Sequence, residues 1–411
     1  MLEQMKTTVR RVREARKRHQ VRHSPSGFQF AFFDRISMAR PDHWDLLTRD
    51  HSVCLSRPFL ETLESCTPTG LKPHYALIYR GDEPVAAVSA QSLEISAAAL
   101  PKGQSERPHL DRIAQRTLAS IQQRILVCGN LLSWGAHGTA FAPGEDPSLL
   151  WPAVAEALYR IRRADKLFGD TDLIMVKDLP GNRPETADNL RRFSYRPLET
   201  EPNMVLELKP SWHSFEDYLK DMKSDYRSGI KKQLRDIAEA GLETVSLDAD
   251  QVAAHAKEIH QLYLQVHSKQ RARLITIQEG WIPGLAKRFG PDFRTTVIRA
   301  RSGGPLLGFV TSLRDGEGAI GYYIGFDRKA AESAPLYLRL LYAIVEDGIA
   351  LKAHWISLGR TALQPKAKLG AKPQATYCLL RHRIQALNLV VGSLLKTLPD
   401  PEEAPERNPF K

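Results

Sequence analysis

The residues from Arg294 to Leu358 set the tightest limits on the fold. Three alternating runs, Arg294–Arg301, Leu306–Leu313 and Ala319–Phe326, are separated by the turns Ser302-Gly303-Gly304 and Asp315-Gly316-Glu317-Gly318. Period-two runs joined by such turns are antiparallel strands of a hairpin meander. The period then changes. From Ala334 to Leu351 apolar residues recur every three or four, as on a helix with one buried face, and His354–Leu358 follows as a buried strand. A meander running into a helix and one more strand buries its faces as a mixed α/β unit with a mostly antiparallel sheet.

Upstream of the meander, Ser214 opens a helix with Asp217 in a capping-box position. An apolar stripe through Phe215, Tyr218, Leu219, Met222, Tyr226, Ile230, Leu234 and Ile237 predicts one helix over 214–240, stopped by Gly241. Glu243–Leu247 reads as a strand, Ala253–Ser268 as a second helix and Thr376–Arg381 as a last strand. The first half follows a similar plan. A helical entry at His43–Leu63 leads to the strands His74–Arg80 and Pro84–Leu93, joined at Gly81-Asp82. A helical or irregular stretch, Lys102–Gln123, precedes a buried strand, Arg124–Cys128, and the loop GNLLSWGAHG. The helix Ser148–Arg163, the strand Asp172–Val176 and strands with a proline turn over Phe193–Leu208 complete it.

At 411 residues the chain exceeds the roughly 250–300 at which single cores stop growing. The expected division is a basic arm at 1–26, domains at 27–208 and 209–385, and a terminal helix with a disordered tail at 386–411. The four cysteines are widely spaced, with no CxxC, which fits a reducing cytoplasm and argues against a zinc module. No apolar run reaches the length of a membrane span, and no apolar segment follows the basic N-terminal stretch as a secretory signal would require. GxSxG, Walker A, HExxH and dinucleotide motifs are absent.

The charge is +11, which points to an anionic partner. Two regions concentrate it. Lys223, Arg227, Lys231 and Arg235 recur at four-residue spacing on one helix face. From Gly348 to Pro399 there is no Asp or Glu, where about six would be expected, whereas Arg360, Lys366 and Lys368 follow a buried strand end. Ligands of α/β sheets collect beyond strand ends, so the loop carrying Arg360, Lys366 and Lys368 is the expected anion clamp.

The segments YRSGIKKQLRDIAEAGLE, LLGFVTSLRDGEGAIGYYIGFD, ESAPLYLRLLYAIVEDGIALK and ISLGRTALQPKAKLG, with LVCGNLLSWGAHG and PHYALIYRGDEPVAAVSAQSLEI in the first half, resemble the Fem-like GNAT acyltransferases over residues 40–385. The resemblance implies tandem GNAT-like α/β domains and transfer of an acyl or aminoacyl group to an amine. It implies no tightly bound cofactor or metal, with acyl-CoA or another activated donor as co-substrate. His267, Tyr323 and Asp327 are the candidate acid–base residues, with Tyr322 as the neighbour of Tyr323. Successive strand residues point to opposite faces, so only one of the two tyrosines is expected to face a common cleft. Arg227, Lys231, Arg360, Lys366 and Lys368 are the candidate donor-binding residues.

One departure stands out. The turn before the central helix reads RKAAESAPLYL, without the glycines whose amides hold a CoA pyrophosphate. Ser333 is the expected cap there, with Pro335 in the first turn. The departure gives weight to a carrier-protein or tRNA donor. The expected acceptor is the amine of an amino acid, peptide or lipid, and no DNA partner is expected. The expected location is cytoplasmic, with IQALNLVVGSLLKTL (384–398) as the element for peripheral contact at the inner membrane face. The alternative is a non-catalytic GNAT-like protein that binds RNA or an anionic membrane through its basic C-terminal surface.

Overall fold

The computed structural model describes Arg13 and residues 24–96, 122–181, 184–269, 274–384, 387–388 and 405–411. The basic arm, most of the Lys102–Gln123 stretch and most of 384–398 lie outside the described residues. Among the described residues no helix is long and apolar enough to cross a membrane.

The first half runs β1 (Gln29–Phe33), α1 (Pro41–Thr48), α2 (Arg57–Ser65), β2 (Lys72–Arg80), β3 (Glu83–Ser96), β4 (Gln122–Cys128), β5 (Thr139–Phe141), α3 (Pro147–Ala164), β6 (Thr171–Pro180) and β7 (Arg196–Glu207). The second half begins with α4 (Phe215–Asp221), α5 (Ser224–Glu239), β8 (Leu242–Leu247), α6 (Ala249–Ala254), α7 (Ala256–His267) and α8 (Trp281–Phe289). It continues through β9 (Phe293–Ala300), β10 (Leu306–Asp315), β11 (Gly318–Phe326), α9 (Leu336–Ala350), β12 (Trp355–Ser357), α10 (Leu363–Lys368) and β13 (Lys372–His382).

All the strands join one sheet, ordered β1-β2-β3-β4-β6-β13-β7-β12-β11-β10-β9-β8, with β5 beside β3. Only β4–β6 and β11–β12 pair in parallel; the other described pairs are antiparallel. The two halves exchange strands. β13, the last strand of the second half, lies between β6 and β7, whereas β7 of the first half pairs with β12 of the second. The division expected at 208/209 therefore runs through a continuous ladder of backbone hydrogen bonds.

Packing also crosses the halves. Phe59 of α2 meets Trp281 of α8 edge-on at 5.5 Å, and both are fully buried. A Cβ at Gly284 of α8 would lie 3.2 Å from Thr62 of α2, so a missing side chain allows the two helices to approach. The Pro283-Gly284 pair disguises α8 in the sequence, although a proline in the first turn is compatible with a helix.

Two expected helices are broken. The stretch 214–240 is interrupted at Met222, whose backbone is extended (φ −73°, ψ 149°) and which bridges to Phe410. Helix 253–268 gives way to α6 and α7, because the Asp248–Gln251 capping box starts a helix earlier. The clamp loop is also partly helical, since α10 carries Lys366 and Lys368. At the far end of the chain, residues 405–411 are docked against the fold rather than disordered, because Phe410 finds an aromatic groove.

Candidate active site at the junction of the halves

Strands β11 and β12 pair through only two residues, Ala319↔Ile356 and Ile320↔Ser357, and then part. Just past the parting, β11 is irregular. Val310 pairs with Ile324 and Ser312 with Gly321, so Tyr322 and Tyr323 together oppose Thr311. Two residues against one is a β-bulge, which leaves an amide without its ladder partner; Tyr323 N donates instead to Thr311 Oγ1 at 3.0 Å. The bulge cancels the alternation of side chains. The Tyr322 and Tyr323 rings lie 4.5 Å apart in one cluster, which corrects the expectation that they diverge.

From that pair an aromatic chain runs both ways. Tyr323 meets Tyr263 of α7 at 5.7 Å, and Tyr263 stacks on His267 at 4.8 Å. His267 Nε2 is 3.1 Å from Thr276 Oγ1. On the other side Tyr322 lies 6.2 Å from Trp134, which the first half supplies on the loop 129–138. Tyr323 Oη donates to Leu132 O on the same loop (2.9 Å). Trp134 Nε1 donates to Ser357 Oγ at 2.7 Å, and Ser357 Oγ donates to Asn203 Oδ1 at 2.8 Å. Gly359, at φ +75°, lies under the indole; a Cβ there would sit 3.0 Å from the ring, so the backbone and the contact both require glycine. Burial pushes the phenols of Tyr322 and Tyr323 far above their ordinary range and keeps them protonated.

Next to Trp134 lies a charged cluster. Asp178, fully buried and left-handed at φ +59°, is ion-paired with Lys177 and with Arg360 and accepts from Gly135 N at 2.9 Å. Burial alone would raise its pKa, but the Lys177 and Arg360 charges outweigh it and bring the carboxyl down to about 2. Two cations, Lys177 and Arg360, share this one buried carboxylate. The backbone after β12 is unusual: Thr361 and Ala362 are also left-handed, at φ +36° and +51°. Lys366 reaches back from α10, donating to Gly359 O (3.1 Å) and Arg360 O (2.7 Å). Burial lowers its pKa to about 7. Strained non-glycine backbone of this kind persists only where surrounding contacts hold it, and it collects at ligand sites.

The remaining candidates lie apart. Lys368 is exposed on α10. Arg227 caps α4 through the carbonyls of Lys220 and Met222, and Lys231 pairs with Glu216 at 3.1 Å. Asp327 organises the turn before α9, accepting from Ala330 N at 2.7 Å and from Gln265 Nε2 at 3.2 Å, and these bonds lower its pKa. The junction thus gathers His267, Tyr323, Arg360 and Lys366. It adds Trp134, Lys177 and Asp178, whose only signal in the sequence is the charged pair Lys177-Asp178 directly after the buried run DLIMV.

The turn before α9 offers few amides to a phosphate. Ala330 N is taken by Asp327; Ala331, Ser333, Ala334 and Leu336 N all donate to nearby backbone carbonyls, and Pro335 has no N–H. Ser333 does not cap the helix but donates to Ala330 O, and Pro335 takes the cap position itself. No group of three or more His, Cys, Asp or Glu among the described residues is arranged to hold a metal.

Residues 224–367 match the family described as acetyltransferase (GNAT) domain. The second half therefore carries a GNAT domain, and the chain as a whole has the Fem-like fold. Among solved structures, FemX superimposes with a TM-score of 0.54 at 9% identity, over 88% of this chain and 100% of FemX. A tandem GNAT protein from the clavulanic acid biosynthesis pathway gives 0.49 at 12% identity, over 86% and 98% of the two chains. The C-terminal domain of a putative lysylphosphatidylglycerol synthetase from Agrobacterium fabrum gives 0.49 at 11%, over 87% and 95%. No curated protein sequence matches the chain.

Proposed function

We propose that the protein is an N-acyltransferase that moves an acyl or aminoacyl group from an anionic activated donor to an amine at the junction of the halves. The observation that carries this reading is the parting of β11 and β12 at the Tyr322–Tyr323 bulge, beside the buried cluster of Lys177, Arg360 and Asp178. In such a reaction the amine nitrogen attacks the acyl carbonyl carbon and the bond from that carbon to the donor's sulfur or oxygen breaks. The amine loses a proton and the leaving group gains one. We assign the proton donor to Tyr323, whose hydroxyl would exchange its bond to Leu132 O for one to the leaving group, and the acceptor of the amine proton to His267, which reaches Tyr323 through the Tyr263 ring.

Arg360, Lys177 and Lys366 are the residues we assign to the anionic part of the donor at the junction, with Lys368, Arg227 and Lys231 as outlying cations. Lys366 works mainly by holding the Arg360 backbone, because its amine is already bonded to two carbonyls. The committed amides before α9 favour a donor gripped by side chains, such as an acylated carrier protein or aminoacyl-tRNA, over CoA held by its pyrophosphate. The acceptor is an amino acid, peptide or lipid amine.

Calorimetric titration with a panel of acyl-CoAs, an acylated carrier protein and aminoacyl-tRNA tests this. Binding of one donor class that Arg360→Ala weakens at least tenfold is the expected result. No binding by any of the three would overturn the reading.

A further inference from the structure

The break between α4 and α5 is filled by another part of the chain. Met222 and Phe410 form an antiparallel bridge, Lys223 N donates to Pro409 O at 2.8 Å, and Lys411 N donates to Asp221 O at 3.0 Å. Lys223 Nζ and Lys411 Nζ each donate to a carbonyl of the opposite segment, Asn408 O and Lys220 O, both at 2.8 Å. Backbone pairing of an extended segment with side-chain pockets on alternate residues is the usual way a peptide is bound as an added strand.

The pocket is built for one side chain. The Phe410 ring lies 5.2 Å from Trp212 and 5.7 Å from Tyr218, with the Lys209 ammonium 5.7 Å from its centre. Its floor is Gly370, where a Cβ would come within 2.2 Å of the ring. Gly370 also ends α10: its N–H donates to Ala367 O, Ala371 N donates to Lys366 O, and Tyr218 Oη donates to Leu369 O at 2.8 Å. The walls of the pocket are thus the residues that close the turn carrying Lys366.

We propose that the Trp212–Tyr218–Gly370 groove is a binding site for an extended peptide with a central aromatic residue, occupied here by residues 408–411. Its occupation clamps the end of α10 and fixes Lys366 against the carbonyls of Gly359 and Arg360. The groove acts as a latch between a distant segment of the chain and the backbone that positions Arg360.

The test uses the full chain and needs no acyl donor, so it is independent of the proposed transfer reaction. Labelling of the Lys366 amine by an N-hydroxysuccinimide ester, located by mass spectrometry, is measured with amide hydrogen exchange over 363–371. Phe410→Ala is expected to raise both by about tenfold, without change in β9–β11. Phe410→Trp is expected to keep the parent values, and the free peptide Asn-Pro-Phe-Lys added to Phe410→Ala to restore them. Unchanged labelling and exchange in Phe410→Ala, a rise spread over the whole chain, or no restoration by the peptide would each overturn the proposal.

Discussion

Arg360 and Asp178 meet across the junction of the two halves, a guanidinium leaving β12 paired with a carboxylate at the end of β6. The carboxylate has no exposed surface and also serves Lys177. Removing it leaves two cations without a counter-charge in a mostly buried place. Asp178→Ala is expected to cost about 3–5 kcal/mol, read as a lower denaturation midpoint at unchanged slope, and to weaken donor binding by displacing Arg360.

Acid should weaken the same junction in two stages. His137 lies 2.7 Å from Ser133 Oγ, and burial, reinforced by the Lys177 charge, lowers its pKa to about 3. The unfolded imidazole takes up a proton near 6.5, so below that pH the unfolded state binds more protons and stability falls. Asp178 joins in as the pH drops from its unfolded value of 3.8 towards about 2. His137→Asn should flatten the first stage and leave the second, as followed by denaturant titration at a series of pH values.

Lys366 gives a signature of the same sign in an alkaline window. Folding lowers its pKa from 10.5 to about 7, so between those values the unfolded chain holds the extra proton and stability rises with pH. Lys366→Met is expected to abolish that rise. Losing donors to two carbonyls should also cost about 1–3 kcal/mol and release the left-handed backbone at Thr361 and Ala362.

Trp134 separates packing from hydrogen bonding. Trp134→Phe keeps a ring over Gly359 but removes the donor to Ser357, and an expected loss of about 1 kcal/mol follows. Trp134→Ala removes both and should lower stability by about 3–5 kcal/mol. If the loop 129–138 shapes the acceptor side, Trp134→Phe changes the KM for the amine more than kcat.

The meander, the central helix and the strand after it were legible because each carries an uninterrupted period, as in Leu306–Leu313 and Ala334–Leu351. The bulge was not. Its cause is the pairing of Tyr322 and Tyr323 against Thr311, and nothing in GYYIG alone departs from an alternating strand. Arg360 and Lys366 could be found from their place after a buried strand. Asp178 could not be matched to Arg360, because the contact depends on β13 lying between β6 and β7. Helix α4 looked continuous with α5 because the stripe through Met222 keeps its period; what breaks it is Phe410, far away in sequence.

The exchange of β7 and β13 has a consequence for how the molecule comes into being. During synthesis β6 emerges early, and its outer edge has no partner until β13, some two hundred residues later, has left the ribosome. An open edge is a template for pairing with the wrong chain. The first half must therefore wait, with one side of its sheet unprotected, for the closing strand. A gene split between the two halves would give each product a borrowed strand with no lender.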